Sequence, residues 1–436
     1  MRPVYFVSGG VSKFAKARPD KTFQPMVKEA YDYALKDIGI SQKRFTEIVD
    51  GSVASYFSDH FQRQLMSGIM VHDYLGLCPK PSHRVEGGGA TGGLCFQEAW
   101  KQVASGYMDV CVAFGFETMS HVQTWKGNEF IALASDVSFD YPVGGFYSGY
   151  YAMMVTRHMK EYGTTVEQLA HVSVKNHINA YHNPYSQKQD RLTIADVRNS
   201  PMVAWPLTRR DICVMSDGAA VSILASEDGL KKLEKAARTT FKPLVKVAAV
   251  GRGTDAMRMS DRPHGKVPLF PWEEPYEGLK YPGVHSFRAG RTASIQAYEQ
   301  AGITNPIEEI DFVELHDAYT SSEIQTYEDM GLCRYGEGGP FAASGATFLP
   351  NVDYGLDFPG TVGRCPVNPS GGLIACGHPV GATGLMQAVF SLWQVQGTIK
   401  KHFGDGKLQV KGARRGAFHS HAGTGTYVTV SIIERA

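Results

Sequence analysis

A chain of 436 residues, 43% of them hydrophobic, is long enough to bury the cores of two or three structural units. Its formal net charge of +1, with Lys and Arg scattered along the chain, argues against nucleic acid as the main partner. The seven cysteines (78, 95, 111, 213, 333, 365 and 376) form no C-x-x-C pair, so no metal site is expected within the chain.

An odd cysteine count fits a reducing compartment. The opening Met1-Arg2-Pro3-Val4-Tyr5-Phe6-Val7-Ser8 reads as the approach to a strand and not as a signal peptide. No run of about 18 apolar residues predicts a membrane span. A cytoplasmic protein that does not enter a membrane is expected.

Residues 4–8 read as a buried strand, and 26–38 have the apolar spacing of a helix. Residues 47–54 predict a strand, 62–75 and 92–104 helices, and 110–116 another strand. Alternating strands and helices imply an α/β fold around a largely buried sheet. Residues 120–205 break this alternation. They are rich in Tyr, His and Asn, and are too long for a simple connection. Residues 258–283 form a second irregular stretch, with five prolines.

The order of short motifs repeats. Ala30-Tyr31, Gly39-Ile40 and Glu47-Ile48-Val49-Asp50 are matched by Ala297-Tyr298, Gly302-Ile303 and Glu309-Ile310-Asp311-Phe312. Gly89-Ala90-Thr91-Gly92 opens one apolar helix, and Gly381-Ala382-Thr383-Gly384 opens another. Two similar halves related by duplication are implied.

Residues 368–384 contain the pair Gly371-Gly372, the turn Gly377-His378-Pro379 and the helix start Gly381-Ala382-Thr383-Gly384. This segment resembles the thiolase signature. Glu314-Leu315-His316-Asp317-Ala318-Tyr319-Thr320 is similar to the His-Asp loop of archaeal and sterol-carrier-type thiolases. Ser216-Asp217-Gly218-Ala219-Ala220, Val174-Lys175-Asn176-His177 and His419-Ser420-His421-Ala422-Gly423-Thr424-Gly425 resemble the same branch. The resemblance runs from about residue 4 to 434.

The resemblance implies a thiolase fold: two duplicated α/β halves packed as a five-layer αβαβα sandwich with an inserted loop domain. The first half would be 1–119 with 206–245, the loop domain 120–205, and the second half 246–436. It further implies an acyl-CoA substrate, no covalently bound cofactor, and a homodimer or tetramer. That branch often works with a small zinc-ribbon/OB-fold protein, so any zinc would come with the partner.

Making or breaking a carbon–carbon bond beside a thioester develops negative charge on a thioester oxygen, and preorganised donors there matter most. His378 and His316 match the family's oxyanion-binding positions. His419 matches its terminal acid/base, and His421 is a possible substitute. Gly88, Gly89, Gly423 and Gly425 are the expected backbone contacts to substrate or CoA.

One position departs from the pattern. The family's nucleophilic cysteine begins a helix after a strand, where the helix end lowers its pKa. The matching position here is Gly89. Cys95 should point into helix packing. Cys376, two residues before His378, is the remaining candidate nucleophile.

Three readings stay open: an acyl-CoA C-acyltransferase, a retro-aldolase acting on an acyl-CoA, or a non-catalytic subunit. The steroid side-chain aldolases of the superfamily have a similar glycine turn and use tyrosines, which draws attention to Tyr319 and Tyr354. The bared helix start at Gly89 is expected to leave room for a substrate oxygen held by backbone N–H groups.

Overall fold

The computed structural model describes residues 1–262, 267–276, 279 and 288–436. Nine strands join in the order β3-β2-β4-β7-β1-β8-β11-β10-β9. They are β1 Tyr5–Val11, β2 Gly51–Ser55, β3 Ser82–Val85, β4 Val110–Thr118, β7 Asp217–Ala225, β8 Val245–Thr254, β9 Phe312–Glu314, β10 Arg415–Ala422 and β11 Tyr427–Arg435. The short β5 Met202–Ala204 and β6 Leu207–Thr208 pair separately.

The duplication is visible in the pairing. β2 runs parallel to β4, β4 antiparallel to β7, and β7 antiparallel to β1. β9, β10, β11 and β8 repeat that pattern in the same order. The two sets meet through one antiparallel pair, Tyr5 with Lys246.

Apolar cores at the centre and on both outer faces hold the layers together. Helix Phe23–Asp37 packs Val27 and Tyr31 against Val221 on the outer face of the first sheet. Helix Arg288–Ala301 packs Ala293 and Tyr298 beside Val430 on the second. Between the sheets lie helices Thr91–Ala104 and Val380–Gln396, the latter buried over nearly its whole length. A helix that is apolar all round belongs in such a layer. The ring of Phe96 stands 5.1 Å from that of Phe6 and 4.9 Å from that of Phe418, joining the two halves.

The motif Gly-Ala-Thr-Gly opens both central helices because they touch there. A Cβ on Gly92 would lie 2.6 Å from the backbone nitrogen of Gly384. Only glycine permits that approach.

Two expected elements differ. Glu47 and Ile48 end the helix Gln42–Ile48, which Ser41 caps by accepting from Arg44 N, and the strand starts only at Gly51. The span 62–75 is broken, because Arg63 and Met66 take positive φ between helices Asp59–Gln62 and Ser67–Tyr74. Residues 120–205 are mainly helical, with Thr124–Ala132, Tyr147–Tyr162 and Val166–Tyr181. The irregular stretch 258–283 lies partly outside the described residues. Among the described residues no helix is long and apolar enough to cross a membrane.

Candidate active site

A cavity of about 2420 Å³ opens between the inserted helical region and the C-terminal ends of the parallel strands. Its lining includes Gly89, His316, His378, His421 and Gly423, which arrive from four separate chain segments. His316 sits in the loop after β9, and His378 in the turn that starts helix Val380–Gln396. His421 is on β10, and Gly89 is in the turn before helix Thr91–Ala104.

The imidazoles form one cluster. The rings of His316 and His378 are perpendicular, with centroids 4.9 Å apart, and the ring of His421 is 4.2 Å from that of His316. Burial pushes His378 down to about 3. Burial, reinforced by the neighbouring histidines, holds His316 and His421 well below the usual imidazole range. All three are therefore neutral near pH 7 and can donate a hydrogen bond without a permanent buried charge. Nδ1 of His316 is buried without a hydrogen-bond partner, and such an orphan commonly marks a site built for something other than stability.

Second contacts orient the rings. Nδ1 of His378 lies 2.7 Å from Thr383 Oγ1, whose hydroxyl is also 3.0 Å from Pro379 O. With that proton on the shorter contact, Nε2 of His378 carries the ring hydrogen and is the nitrogen that can donate to a substrate. Nε2 of His421 is 2.7 Å from the hydroxyl of Tyr151, which also donates to the Gly423 carbonyl at 2.6 Å. Because that hydroxyl has one proton, donating it to Gly423 requires Nε2 of His421 to carry the hydrogen.

Tyr151 escaped sequence reasoning, though a signal existed. Tyr147 and Tyr151 are four residues apart, on one face of helix Tyr147–Tyr162, and both line the cavity. Tyr319 stacks on Tyr151 with centroids 4.1 Å apart and also lines it. Tyr354 instead bonds Asn179 at 2.6 Å within the core, away from the cavity.

Other expected residues are placed differently. His419 shares a face of β10 with His421 but lies one step deeper. Its Nδ1 accepts from the His316 backbone at 3.4 Å, and burial pushes it to about 3. Gly88 (φ 55°) and Gly425 (φ 83°) shape turns next to the cavity without lining it. Cys376 does not reach the histidines. Its thiol is fully buried, 3.5 Å from Met386 Sδ, and burial pushes it up to about 12. Cys95 is likewise pushed up to about 12 and donates to Val53 O at 3.3 Å. Cys213 is the thiol that lines the cavity, again pushed up to about 12 by burial.

The room expected at Gly89 is not there. A Cβ on Gly89 would run into the carbonyl oxygen of His421 and come within 3.0 Å of His316 Cε1. The direction that a cysteine side chain would take is filled by the histidine cluster's own atoms.

Among the described residues no group of three or more His, Cys, Asp or Glu is arranged to hold a metal ion. The cavity lining also carries Lys188, Arg191, Arg209 and Arg210, together with Asp190, which pairs with Arg210 at 2.9 Å.

Comparison with known proteins agrees with this architecture. Residues 4–197 match the family described as thiolase, N-terminal domain, and 280–435 match thiolase C-terminal domain-like. The chain is 36% identical over 435 residues to an acetyl-CoA acetyltransferase of Methanothermobacter thermautotrophicus, covering 100% of both. It is 30% identical to human sterol carrier protein 2, covering 99% of this chain and 72% of that one. Among solved structures, the Ltp2-ChsH2(DUF35) aldolase superposes with a TM-score of 0.74 at 22% identity, covering 98% of this chain and 97% of that one, a likeness of fold. With both family domains matched and a full-length relative at this identity, the chain belongs to the thiolase family.

Proposed function

We propose that this protein is an acyl-CoA C-acyltransferase. It makes or breaks the carbon–carbon bond next to a CoA thioester, with no acyl-enzyme at residue 89. The observation that carries this reading is the convergence of three neutral imidazoles, His316, His378 and His421, on one cavity beside the start of a central helix. In that set His316 and His378 are suited to holding an enolate oxygen, while the single N–H of His421 is committed to Tyr151. The full-length similarity to an acetyl-CoA acetyltransferase supports it.

In the cleavage direction the thiol of CoA adds to the 3-oxo carbon of the substrate thioester. The bond between the α- and β-carbons breaks, and its electron pair becomes the enolate of the departing thioester. A cavity histidine takes the thiol proton and returns it to the α-carbon, so two acyl-CoA products form and no residue is consumed. His421, held by Tyr151, is the group we assign to that transfer. CoA thioesters are the substrates and no covalent cofactor takes part.

A retro-aldol reaction on a 3-hydroxyacyl-CoA would pass through the same enolate without free CoA. It is favoured by the filled space at Gly89 and by the hydroxyls of Tyr151 and Tyr319 in the cavity. A product assay separates the two. Dependence on free CoA with a shortened acyl-CoA product supports acyl transfer. Release of a ketone or aldehyde without CoA consumption supports the aldolase. An absence of both, together with no exchange of acetyl-CoA α-protons in D2O, leaves a non-catalytic subunit.

The same reading includes a homodimer or tetramer in the cytoplasm. A zinc-ribbon/OB-fold partner, which would bring any zinc, is a further part of it. The similarly folded aldolase has a DUF35 component in its name.

A further inference from the structure

The two loops that present His316 and His378 are joined beneath the cavity by side chains that never reach it. Asp317 follows His316 directly, and its carboxylate is turned away from the cavity and fully buried. One oxygen, Oδ1, accepts from Leu373 N at 2.6 Å. The other, Oδ2, accepts from Asn176 Nδ2 at 2.7 Å and Ile374 N at 3.4 Å. Leu373 and Ile374 belong to the turn Gly372–Cys376, which leads straight into His378. Gly372 has φ 60°, and a Cβ there would strike the Asp317 carboxylate, so the turn is shaped around it.

A second tie lies on the other side of His316. Asn368 holds φ 51° and accepts from Leu315 N through Oδ1 at 2.8 Å. Its Nδ2 donates to Glu323 Oε2 at 2.8 Å, which also accepts from Asn176 at 2.8 Å. Buried Lys175 pairs with Glu323 and donates to Val367 O at 2.9 Å. Leu373 N and Ile374 N, ahead of His378, are thus bound to the carboxylate that follows His316, and Leu315 N, just before His316, is bound to the side chain of Asn368.

We propose that Asp317 and Asn368 are positioning residues that set the spacing and right-angle orientation of the His316 and His378 rings. They do so by tying the two loops to each other from below. This rests on the reading that both imidazoles bind the enolate oxygen. Each hydrogen-bond partner of the Asp317 side chain is an N–H, which the two oxygens of a carboxyl group accept. An amide would turn an NH2 toward one of those donors. Side-chain donors must be held to within about 0.5 Å for full effect, and a displacement of about 1 Å can lower turnover by about 10²-fold.

The test uses the full chain and acetyl-CoA, following α-proton exchange in D2O by mass spectrometry. Asp317→Asn is expected to lower kcat for exchange by about 10²-fold, with KM for acetyl-CoA changed less than about threefold. Asn368→Gly tolerates the positive φ and removes only the side chain, and it should show the same split. Equal loss in kcat and KM, or loss of folded protein without a kcat change in the soluble fraction, would overturn the proposal.

Should wild-type protein exchange no protons, the proposed function fails. The positioning role is then decided by a crystal structure of Asp317→Asn. A displacement of about 1 Å or more between the two rings supports it, and an unchanged 4.9 Å separation refutes it.

Discussion

The carbonyl oxygen of His421 occupies the direction in which a side chain on Gly89 would extend. Strand β10 of the second half therefore closes over the helix start of the first. The glycine is needed by this packing, and its replacement is expected to disturb the histidine cluster as well as the helix.

Gly89→Ala must push the His421 carbonyl or the His316 ring aside, and kcat/KM is expected to fall by about 10²-fold. Gly89→Cys should fall comparably and gain no thiolase activity on the native substrate. Steady-state kinetics with intact-mass analysis after acyl-CoA incubation checks both. A faster Gly89→Cys enzyme carrying an acyl adduct would mean that the glycine is only a lost nucleophile.

Removal of one oxyanion donor commonly lowers turnover by about 10²–10³-fold, and that is the expected effect of His378→Ala and of His316→Ala. The double variant should lose less than the product of the two, since the rings contact each other. Wild-type turnover in either single variant would remove that ring from the mechanism.

The buried histidines predict a particular pH response. His378 and His419 titrate near 3 in the folded protein and near 6.5 when unfolded. Between those values the unfolded chain binds more protons, so stability falls as pH drops below 6.5. Glu314 has the opposite sign. Burial raises it from 4.5 to about 8, so its contribution is lost as pH rises toward 8. From pH 4.5 to 6.5 the two histidines outweigh the one carboxylate, and above 6.5 the carboxylate acts alone. Thermal unfolding should therefore show greatest stability near pH 6.5, with Glu314→Gln flattening the alkaline limb. A melting temperature that keeps rising from pH 6.5 to 8 in wild type would contradict this assignment.

β3 forms one edge of the nine-stranded sheet, and its free side has no partner strand among the described residues. An unpaired edge is a ready site for a second copy. Sedimentation at micromolar concentration is expected to give at least a dimer. A monomer in the absence of any partner protein would count against that assembly.

Local sequence was enough to determine the duplicated α/β architecture and the loops of the site. Helix periodicity, the repeated Gly-Ala-Thr-Gly starts and the motifs around His316 and His378 are short-range features, and each folds as its own residues dictate. Short-range signals also misled at 47–54, where a capped helix turn passed for the beginning of a strand.

What only the tertiary structure decided is which side chains share the cavity. His419 and His421 are equivalent by alternation on β10, and the depth of the strand selects His421. Cys376 is close to His378 in sequence, yet the turn Gly372–Cys376 directs its thiol into the core. Tyr151 comes from a helix 270 residues away from its partner His421. The space at Gly89 is closed by a carbonyl from the far end of the chain. These are contacts between segments remote in sequence, formed by packing, and no local pattern encodes them.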